Sequence, residues 1–187
     1  MPAERDKVYW QWLVVRLQQG NSAAAQELID AFQRPLLFYL RRMLQSEDDA
    51  WDCLQEIWIS TLRGIRRLRS PEAVGPFIYR VARNHALLHL RLRKVTLDLH
   101  DDDSLEAAAS TQDITFTSHD AAAIHAALDR LPHGQREVLI LFFLDDLSIQ
   151  EVSEVLSVPA GTVKSRLFHA KRALRGILTE MGYSHDC

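Results

Sequence analysis

The sequence predicts an all-α protein, built as two small helical domains joined by an acidic linker. Outside residues 96–120, apolar residues recur at steps of three and four, and no alternation of apolar and polar residues indicates a strand. Charge divides the chain in the same way. Residues 1–94 carry a net charge of +5, residues 95–120 of -7 and residues 121–187 of -1, within a total of -3.

Composition places the chain among ordinary globular proteins. Of its 187 residues, 47% are hydrophobic and 25% are charged. No apolar run approaches the ~18 residues that span a membrane, and the charged start MPAERDKVYW does not fit a signal peptide. Cys53 and Cys187 cannot build a disulfide framework or a CxxC metal site. We therefore expect a cytoplasmic protein without membrane insertion.

Four helices are expected in the first predicted domain, residues 1–95. The first ends at the sequence QQGN (18–21), and the apolar pattern of the second continues beyond Pro35. Ser46 followed by Asp49 fits a capping box, which predicts the start of the third helix. The fourth helix is marked by the apolar residues Phe77, Ile78, Val81, Leu88 and Leu92.

The third helix is expected to have two different faces. The apolar face carries Trp51, Leu54, Trp58 and Leu62. The opposite face carries two acids, an amide and one apolar residue, which are Asp52, Gln55, Glu56 and Ile59. This second pattern fits a docking surface for a partner helix and equally a solvated face, so the residues alone leave both interpretations open.

Positive charge is concentrated from the end of the third helix through the fourth. Residues 62–94 hold nine Lys and Arg against Glu72 alone, and RGIRRLRS (63–70) contains four Arg. Tyr79 offers a stacking surface for an unpaired base, and Asn84 offers a hydrogen bond to a base edge. Such a mixture of aromatic, amide and guanidinium groups predicts binding to single-stranded nucleic acid.

An acidic segment separates this region from the second domain. Residues 96–120 are rich in Ser and Thr and poor in large apolar residues, which predicts a linker. The second predicted domain, residues 121–187, resumes the helical pattern. There QREVLILFFL (135–144) is nearly all apolar and is predicted to be a buried helix.

A helix-turn-helix pattern follows. Ser148 can cap a helix, and Ser-Val-Pro (157–159) turns the chain into a second helix. Residues 161–175, GTVKSRLFHAKRALR, contain five Lys and Arg and no acid. The apolar face of this helix is formed by Val163, Leu167, Ala170 and Leu174. The remaining face presents Lys164, Ser165, Phe168, His169 and Arg172.

DNA binding is the function that this pattern favours. The second helix has the size to enter a major groove, where residues near its start reach base edges. The alternative is a solvated amphipathic helix in a bundle, in which Lys and Arg serve solubility. Phe168 lies off the apolar face, where a helix kept for solubility rarely carries an aromatic residue, and this observation favours DNA binding.

In order and spacing, these segments resemble a bacterial RNA polymerase sigma factor of the extracytoplasmic function (ECF) type, which has regions 2 and 4 joined by a linker. LVVRLQQGNSAAAQELID (13–30) is similar to the family's opening helices, and DAWDCLQEIWISTL (49–62) resembles the DAxDxxQE signature of region 2. PFIYRVARN (76–84) is similar to the stretch before the helix that reads the −10 element. LDRLPHGQREVLIL (128–141) and residues 147–175 resemble region 4.

The resemblance implies a factor that binds core polymerase and directs promoter-specific initiation by melting and reading the −10 element and reading the −35 element. The clamp helices of the β′ subunit would be bound by Asp52, Gln55, Glu56 and Ile59. The −10 element would be contacted by Arg66, Arg67, Leu68, Arg69, Tyr79, Arg80, Arg83, Asn84 and Arg91. The −35 element would be contacted by Thr162, Lys164, Ser165, Arg166, Phe168, His169, Lys171 and Arg172.

Further partners implied by the resemblance are the polymerase β flap, promoter DNA and an anti-sigma factor. The acidic segment 96–120 would thread through the polymerase toward the RNA exit channel. Some positions depart from the family pattern. Leu88 stands where many members have Asp, and Leu68 where an aromatic residue is frequent. In the turn, Ser157 replaces the common glycine and Ser153 a common alanine.

Other classes of function fit the sequence less well. GTVKSRL (161–167) also resembles the DNA-binding domains of response regulators and quorum sensors, but residues 1–94 lack the α/β alternation of a receiver domain. An interaction bundle would not explain two basic patches on candidate reading helices. An enzyme is not favoured, because there is no phosphate loop and no nucleophile context around either cysteine. His85 and His89 lack a third ligand nearby, so no metal site is expected. No cofactor or small-molecule substrate is expected either.

Overall fold

The computed structural model describes residues 7–44, 46–98, 119–144 and 146–183, and every regular element within these ranges is helical. The predicted all-α class is therefore confirmed. Within the same ranges, no helix is long and apolar enough to cross a membrane.

The chain folds as two compact units. The first unit contains α1 (Lys7–Gln18), α2 (Ser22–Leu44), α3 (Glu47–Gly64) and α4 (Val74–Asp98). Two short 3-10 turns, Ile65–Arg67 and Pro71–Ala73, connect α3 to α4. The second unit contains α5 (His119–Asp129), α6 (His133–Leu139), a π-helical turn (Ile140–Leu144), most of α7 (Ile149–Leu156), and α8 (Ala160–Glu180).

The predicted linker is only partly open to comparison. Residues 99–118 lie outside the described ranges. At its two edges, residues 96–98 belong to α4 and residues 119–120 to α5, so both helices extend into the segment predicted as linker.

Helix ends in the first unit follow local chemistry. α1 ends at Gln18, and the chain then turns at Gly20, whose φ of +84° is a left-handed conformation that glycine adopts without strain. Asn21 then caps α2, because its Oδ1 accepts a hydrogen bond from the backbone N–H of Ala24 at 3.0 Å. Ser46 caps α3 in the same way, accepting from Asp49 N at 3.3 Å. The predicted break at QQGN and the predicted start at Ser46 are both confirmed.

The core of the first unit is centred on α2, which packs against α1, α3 and α4. Trp10 of α1 meets Phe32 of α2 with ring centroids 5.1 Å apart. Tyr39 of α2 meets Tyr79 of α4 edge to face at 5.9 Å. Aromatic pairs of this geometry add to the stabilisation that their burial gives.

The rotation of α4 about its axis differs from the sequence prediction. Its buried stripe includes Ile78, Tyr79, Ala82 and Ala86. Leu88 and Leu92, which the sequence predicts to mark the apolar face, are exposed instead. Alanine has little side chain to keep neighbouring helices apart, so the stripe with two alanines lets α4 approach α2 and α3 closely.

In the second unit, α8 packs against α5 and α6. Arg136 of α6 is buried and donates from Nη2 to the carbonyl oxygens of Asp129 (2.9 Å) and Leu131 (3.1 Å), which fixes the turn between α5 and α6. The prediction that residues 135–144 form one buried helix is only half right. After Leu139 the helix widens into the π-helical turn, whose last two residues, Phe143 and Leu144, are exposed.

The predicted turn between two helices is present. Ser148 and Glu151 form a complete capping box at the start of α7, as the sequence predicts for Ser148. α7 ends at Ser157, which has a φ of +55° and a ψ of +44°, a left-handed conformation that is strained for any residue with a side chain. Ser153 Oγ donates to the carbonyl oxygen of Val158 at 2.6 Å and so fastens the turn.

Candidate nucleic-acid interfaces and docking surfaces

Basic side chains of the first unit gather on the connection between α3 and α4. Its first four residues form a closed turn, in which Leu68 N donates to the carbonyl oxygen of Ile65 at 3.1 Å. Ile65 is buried and anchors the turn. The connection has three exposed arginines, Arg66, Arg67 and Arg69. We call the segment 65–69 that carries them the arginine turn.

Two contacts from outside hold the arginine turn. Gln18, the last residue of α1, donates from Nε2 to the carbonyl oxygens of Ile65 (3.1 Å) and Leu68 (2.9 Å). The second contact is made just before the turn, where Gly64, the last residue of α3, lies against Phe77 of α4. The two are so close that a Cβ atom on residue 64 would lie only 2.8 Å from Phe77 Cζ. The absence of a side chain at this point therefore lets the end of α3 approach α4.

α4 carries the rest of the predicted −10 residues. Its exposed row has helical spacing and consists of Arg80, Asn84, Leu88 and Arg91. Arg83 of α4 is half-buried, and so is Leu68 on the connection before α4. The prediction that Tyr79 stacks on an unpaired base is wrong, because its ring is 0% exposed and packs on Tyr39. A base can stack only on an aromatic face that solvent reaches.

The predicted docking stripe on α3 is on the surface. Asp52, Gln55 and Glu56 are exposed, and Ile59 is 52% exposed. The predicted apolar face is displaced, because Trp51 is exposed and its Nε1 donates to Glu47 Oε1 at 3.0 Å. The buried face of the helix consists of Ala50, Cys53, Leu54, Ile57 and Thr61.

Polar contacts join the docking stripe to α4. His85 Nδ1 lies 3.3 Å from Glu56 Oε2, and His85 Nε2 lies 2.9 Å from Ser60 Oγ. This geometry suits an imidazole that donates to the carboxylate and accepts from the hydroxyl. Outside the docking stripe, α3 and α4 are also joined by Arg93 Nη1, which donates to Asp49 Oδ2 at 3.3 Å. The two histidines of α4 lie near different carboxylates: His85 is close to Glu56, whereas His89 Nε2 lies 4.0 Å from Asp49 Oδ1.

The order Ser60–His85–Glu56 is that of a hydrolytic triad, but its setting does not support catalysis. Ser60 lies inside α3, where backbone N–H groups are used by the helix, so no pair of them is available to stabilise an oxyanion. The contacts instead tie two helices together. Over the described ranges, no three His, Cys, Asp or Glu side chains come together as a metal site.

Cys53 lies on the buried side of α3. Burial raises the pKa of its thiol to about 12, and the nearby carboxylates of Glu56 and Asp49 act in the same direction. The thiol is therefore protonated at neutral pH and belongs to the core.

The exposed face of α8 carries the predicted −35 residues. Val163, Leu167 and Ala170 are buried, as predicted, and Leu174 is half-buried. Phe168 is 64% exposed, and its ring meets the ring of His169 edge to face at 5.4 Å. The exposed residues are Lys164, Ser165, Phe168, His169, Lys171 and Arg172, and Thr162 and Arg166 are half-buried.

An open apolar groove of about 450 Å³ lies in the second unit between α5, the π-helical turn and the end of α8. Lys171 and Arg175 stand at its polar side. Lys171 Nζ lies 4.7 Å from the centre of the Phe143 ring, so a residue predicted to contact DNA borders the groove. The apolar lining is formed by Ile124, Leu128, Leu139, Phe143, Leu144, Leu174 and Leu178.

Sequence reasoning missed Gln18 and the groove for different reasons. Gln18 looks like any solvated glutamine at the end of a helix, and its partners lie 47 and 50 residues away. The groove had a signal, because QREVLILFFL has more apolar residues than one helix face can bury. Part of that excess lines the groove instead of the core.

Comparison with known families agrees with this geometry. The protein family described as "Sigma-70 region 2" matches residues 28–96, which include α3, the arginine turn and nearly all of α4. The model described as "Sigma-70, region 4" matches residues 121–174, which include the turn and most of α8.

Relatives extend the match over most of the chain. RNA polymerase sigma factor SigV of Bacillus subtilis is 30% identical over 137 residues, 73% of this chain and 80% of that protein. RNA polymerase sigma-H factor of Pseudomonas aeruginosa is 29% identical over 175 residues, 88% of this chain and 91% of that protein. The ECF RNA polymerase sigma-E factor of Escherichia coli is 27% identical with the same coverage.

Solved structures show the same fold. The sigma factor RpoE of Bartonella quintana, solved with the anti-sigma factor NepR, has a TM-score of 0.75 at 19% identity and covers 82% of this chain and 96% of that one. CnrH, solved with the cytosolic domain of CnrY, has a TM-score of 0.69 at 20% identity and covers 94% and 99%. With both family regions and these relatives in agreement, the chain belongs to the ECF type of sigma-70 factors, which direct RNA polymerase to initiate transcription at specific promoters.

Proposed function

We propose that the two units divide promoter recognition between them. The first unit, with the predicted domain 1–95, docks on core polymerase and opens the −10 element, and the second unit, with the predicted domain 121–187, reads the −35 element. The observation that carries this proposal is the position of the exposed cationic side chains. They lie on the arginine turn and α4 within the region 2 match, and on α8 within the region 4 match.

The docking stripe on α3 is proposed to bind the β′ clamp helices. Asp52, Gln55, Glu56 and Ile59 form an exposed acidic and apolar row over two turns, on a helix anchored by its buried opposite face. Such a row fits a partner helix that presents basic and apolar residues. His85 supports Glu56 from α4, so the docking stripe is connected to the helix that carries the −10 surface.

The arginine turn and α4 are proposed to contact the −10 element. Guanidinium groups on a backbone turn suit phosphate contacts, whereas the carboxamide of Asn84 suits a base edge. The burial of Tyr79 removes its ring from this surface. The residues proposed to contact the −10 element are therefore Arg66, Arg67, Leu68, Arg69, Arg80, Arg83, Asn84 and Arg91.

α8 is proposed to lie in the major groove at the −35 element. Lys164, Ser165, Phe168 and His169 are exposed over the first half of the helix, where base edges are reached. Arg172, one turn further, is placed for a phosphate. The neighbouring lysine at position 171 is shared between the DNA side and the apolar groove.

The apolar groove of the second unit is proposed to receive the β flap. Most of its lining is leucine, isoleucine and phenylalanine, with Lys171 and Arg175 at its polar side, which fits an apolar helical tip. An anti-sigma factor is a further proposed partner, supported by the complexes in which RpoE and CnrH were solved. The acidic segment 96–120 is proposed to run toward the RNA exit channel, and the protein to act in the cytoplasm without catalytic activity of its own.

Run-off transcription tests the proposal directly. Core polymerase with the purified 187-residue chain should initiate at a small set of sites in genomic DNA fragments, and mapping their starts should give a shared pair of −10 and −35 sequences. Core polymerase alone should not use these sites. Transcription from random positions, or none beyond that of core polymerase, would contradict promoter-specific initiation.

Docking is tested by a pair of matched variants. Asp52→Ala with Gln55→Ala should weaken binding to core polymerase by roughly tenfold, since exposed interface contacts of this kind are each worth about 0.5–1.5 kcal/mol. Gln26→Ala with Asp30→Ala removes the same two residue types from the surface of α2 and serves as the control. Equal affinities for both variants would remove the stripe from the docking proposal.

A further inference from the structure

The arginine turn is an unusual element to hold in one shape. It places three guanidinium groups within four residues, and none of the three has an ion-pair partner within the described ranges. Like charges so close together repel one another. Only its first residue is tied to α3, through the bond from Ile65 N to Thr61 O, and the residues after Ile65 lie outside the hydrogen-bond ladders of α3 and α4.

Gln18 adds a restraint from another helix to the turn's own closing bond and the buried Ile65. Its carboxamide Nε2 has two N–H donors, and both are used, on the carbonyl oxygens of Ile65 and Leu68. These are the first and last residues of the closed turn. The amide therefore bridges the two ends of the turn, and Arg66 and Arg67, the two residues between them, are left exposed.

The side chain of Gln18 is not needed to end its own helix. α1 is closed by backbone bonds, from Gly20 N to Leu17 O at 2.9 Å and from Asn21 N to Arg16 O at 3.1 Å. Gln18 is itself exposed and contributes little apolar burial. Its two bonds to the turn are thus its distinctive contribution to the structure.

We propose that Gln18 is a positioning residue for promoter opening. By bridging Ile65 and Leu68, its carboxamide holds Arg66, Arg67 and Arg69 in the arrangement that engages the DNA backbone as the strands separate. The inference rests on the proposed contact between the arginine turn and the −10 element. Gln18 itself touches no DNA and acts only through the turn.

The test compares Gln18→Met with Gln19→Met in holoenzyme made from the 187-residue chain. Methionine keeps the length and flexibility of the side chain and removes both donors. Gln19 is the exposed neighbour, and no described hydrogen bond involves its side chain. On a promoter found by start-site mapping, reactivity of unpaired thymines toward permanganate measures opening. Gln18→Met should reduce opening roughly five- to tenfold, the effect expected for the removal of two hydrogen bonds, and Gln19→Met should leave it unchanged.

A double-mutant cycle separates positioning from general stability. In a chain that carries Arg66→Ala, Arg67→Ala and Arg69→Ala, Gln18→Met should reduce opening by less than about twofold further, because the residues it positions are gone. Affinity for core polymerase should be the same for all variants. Unchanged opening by Gln18→Met, or an equal reduction in both backgrounds, would overturn the inference.

The same experiment distinguishes the inference from the function on which it rests. If the triple arginine variant opens the promoter as well as the native chain, the assignment of the turn to the −10 element is wrong, and the role of Gln18 is wrong with it. If the triple variant fails and Gln18→Met does not, the assignment of the turn stands and the inference about Gln18 alone is wrong.

Discussion

The two basic surfaces of this protein are constructed in opposite ways. On α8, one continuous helix carries the cationic residues, and its start and its buried face are set by residues close in sequence. On the arginine turn, three cationic residues sit on an irregular connection whose shape depends on Gln18 and Phe77 from other helices. A helix presents its side chains at fixed spacing, whereas a turn presents them only as well as its neighbours hold it.

This difference predicts different responses to mutation. Substitutions on α8 should separate cleanly into those that affect folding and those that affect DNA binding, because the two faces are distinct. Substitutions around the arginine turn should mix the two effects, because the residues that shape the turn also determine where its guanidinium groups lie.

The largest expected effect comes from the buried face of α8. Leu167→Ala removes a side chain from the core of the second unit and should lower the free energy of unfolding by about 2–5 kcal/mol. The adjacent substitution Phe168→Ala should change it by less than about 0.5 kcal/mol, because Phe168 is exposed. Chemical denaturation measures both. Similar decreases would show that the two faces of α8 are not distinct.

Separate roles on the exposed face of α8 give the next effect. Phe168→Ala should relax the preference among −35 variants, with discrimination falling by about 1–3 kcal/mol for each base that the ring reads. Arg172→Ala should weaken all variants nearly equally and lower the slope of log affinity against log salt by about one. A −35 promoter library transcribed at two salt concentrations compares them. A common shift in the library for both variants would contradict the division.

A pair of glycines compares the two constructions directly. Gly64→Ala should destabilise the first unit by about 1–2 kcal/mol, because the cost of placing the new Cβ 2.8 Å from Phe77 Cζ exceeds the smaller gain that alanine brings at the end of a helix. Gly176→Ala in α8 should stabilise the second unit by about 0.8–1 kcal/mol, because no atom of the described residues lies within 4 Å of the added Cβ and alanine favours a helix. Thermal unfolding of both variants gives the signs. Stabilisation by Gly64→Ala would show that the approach of α3 to α4 is not restrictive.

The smallest effect is expected at the turn before α8. Ser157→Gly should stabilise the second unit by about 0.5–1 kcal/mol, because glycine relieves the strain of a φ of +55°, partly offset by the greater freedom of the unfolded chain. Ser157→Ala is the control and should give no stabilisation, since alanine keeps the strain. Equal stability of all three chains in denaturant would mean that the turn holds Ser157 without cost.

The sequence-based predictions succeeded where a residue and its partner are neighbours along the chain. Ser46, Ser148 and the glycine turn at Gly20 were predictable because each acts within three or four residues. The buried face of α8 was predictable because the apolar pattern of one helix determines it. The exposed acidic stripe of α3 followed from the same periodicity.

The failures share a different cause. The sequence favours Tyr79 on the surface and Leu88 on the apolar face, whereas in the structure α4 buries Tyr79 together with Ala82 and Ala86 and leaves Leu88 exposed. Helical spacing identifies which residues share a face but does not say which face a neighbour covers. Gln18 was not predictable for the related reason that its partners are distant along the chain.

The buried thiol on α3 has a chemical consequence for the response of this protein to oxidants. Burial raises the pKa of Cys53 to about 12, so the thiolate, which is the form that peroxides attack, is scarce at neutral pH. The Cys53 thiol of α3, the helix that carries the docking stripe, should therefore react slowly with oxidants. Cys53 is also shielded from solvent, so we expect the thiol to remain reduced for as long as the first unit stays folded.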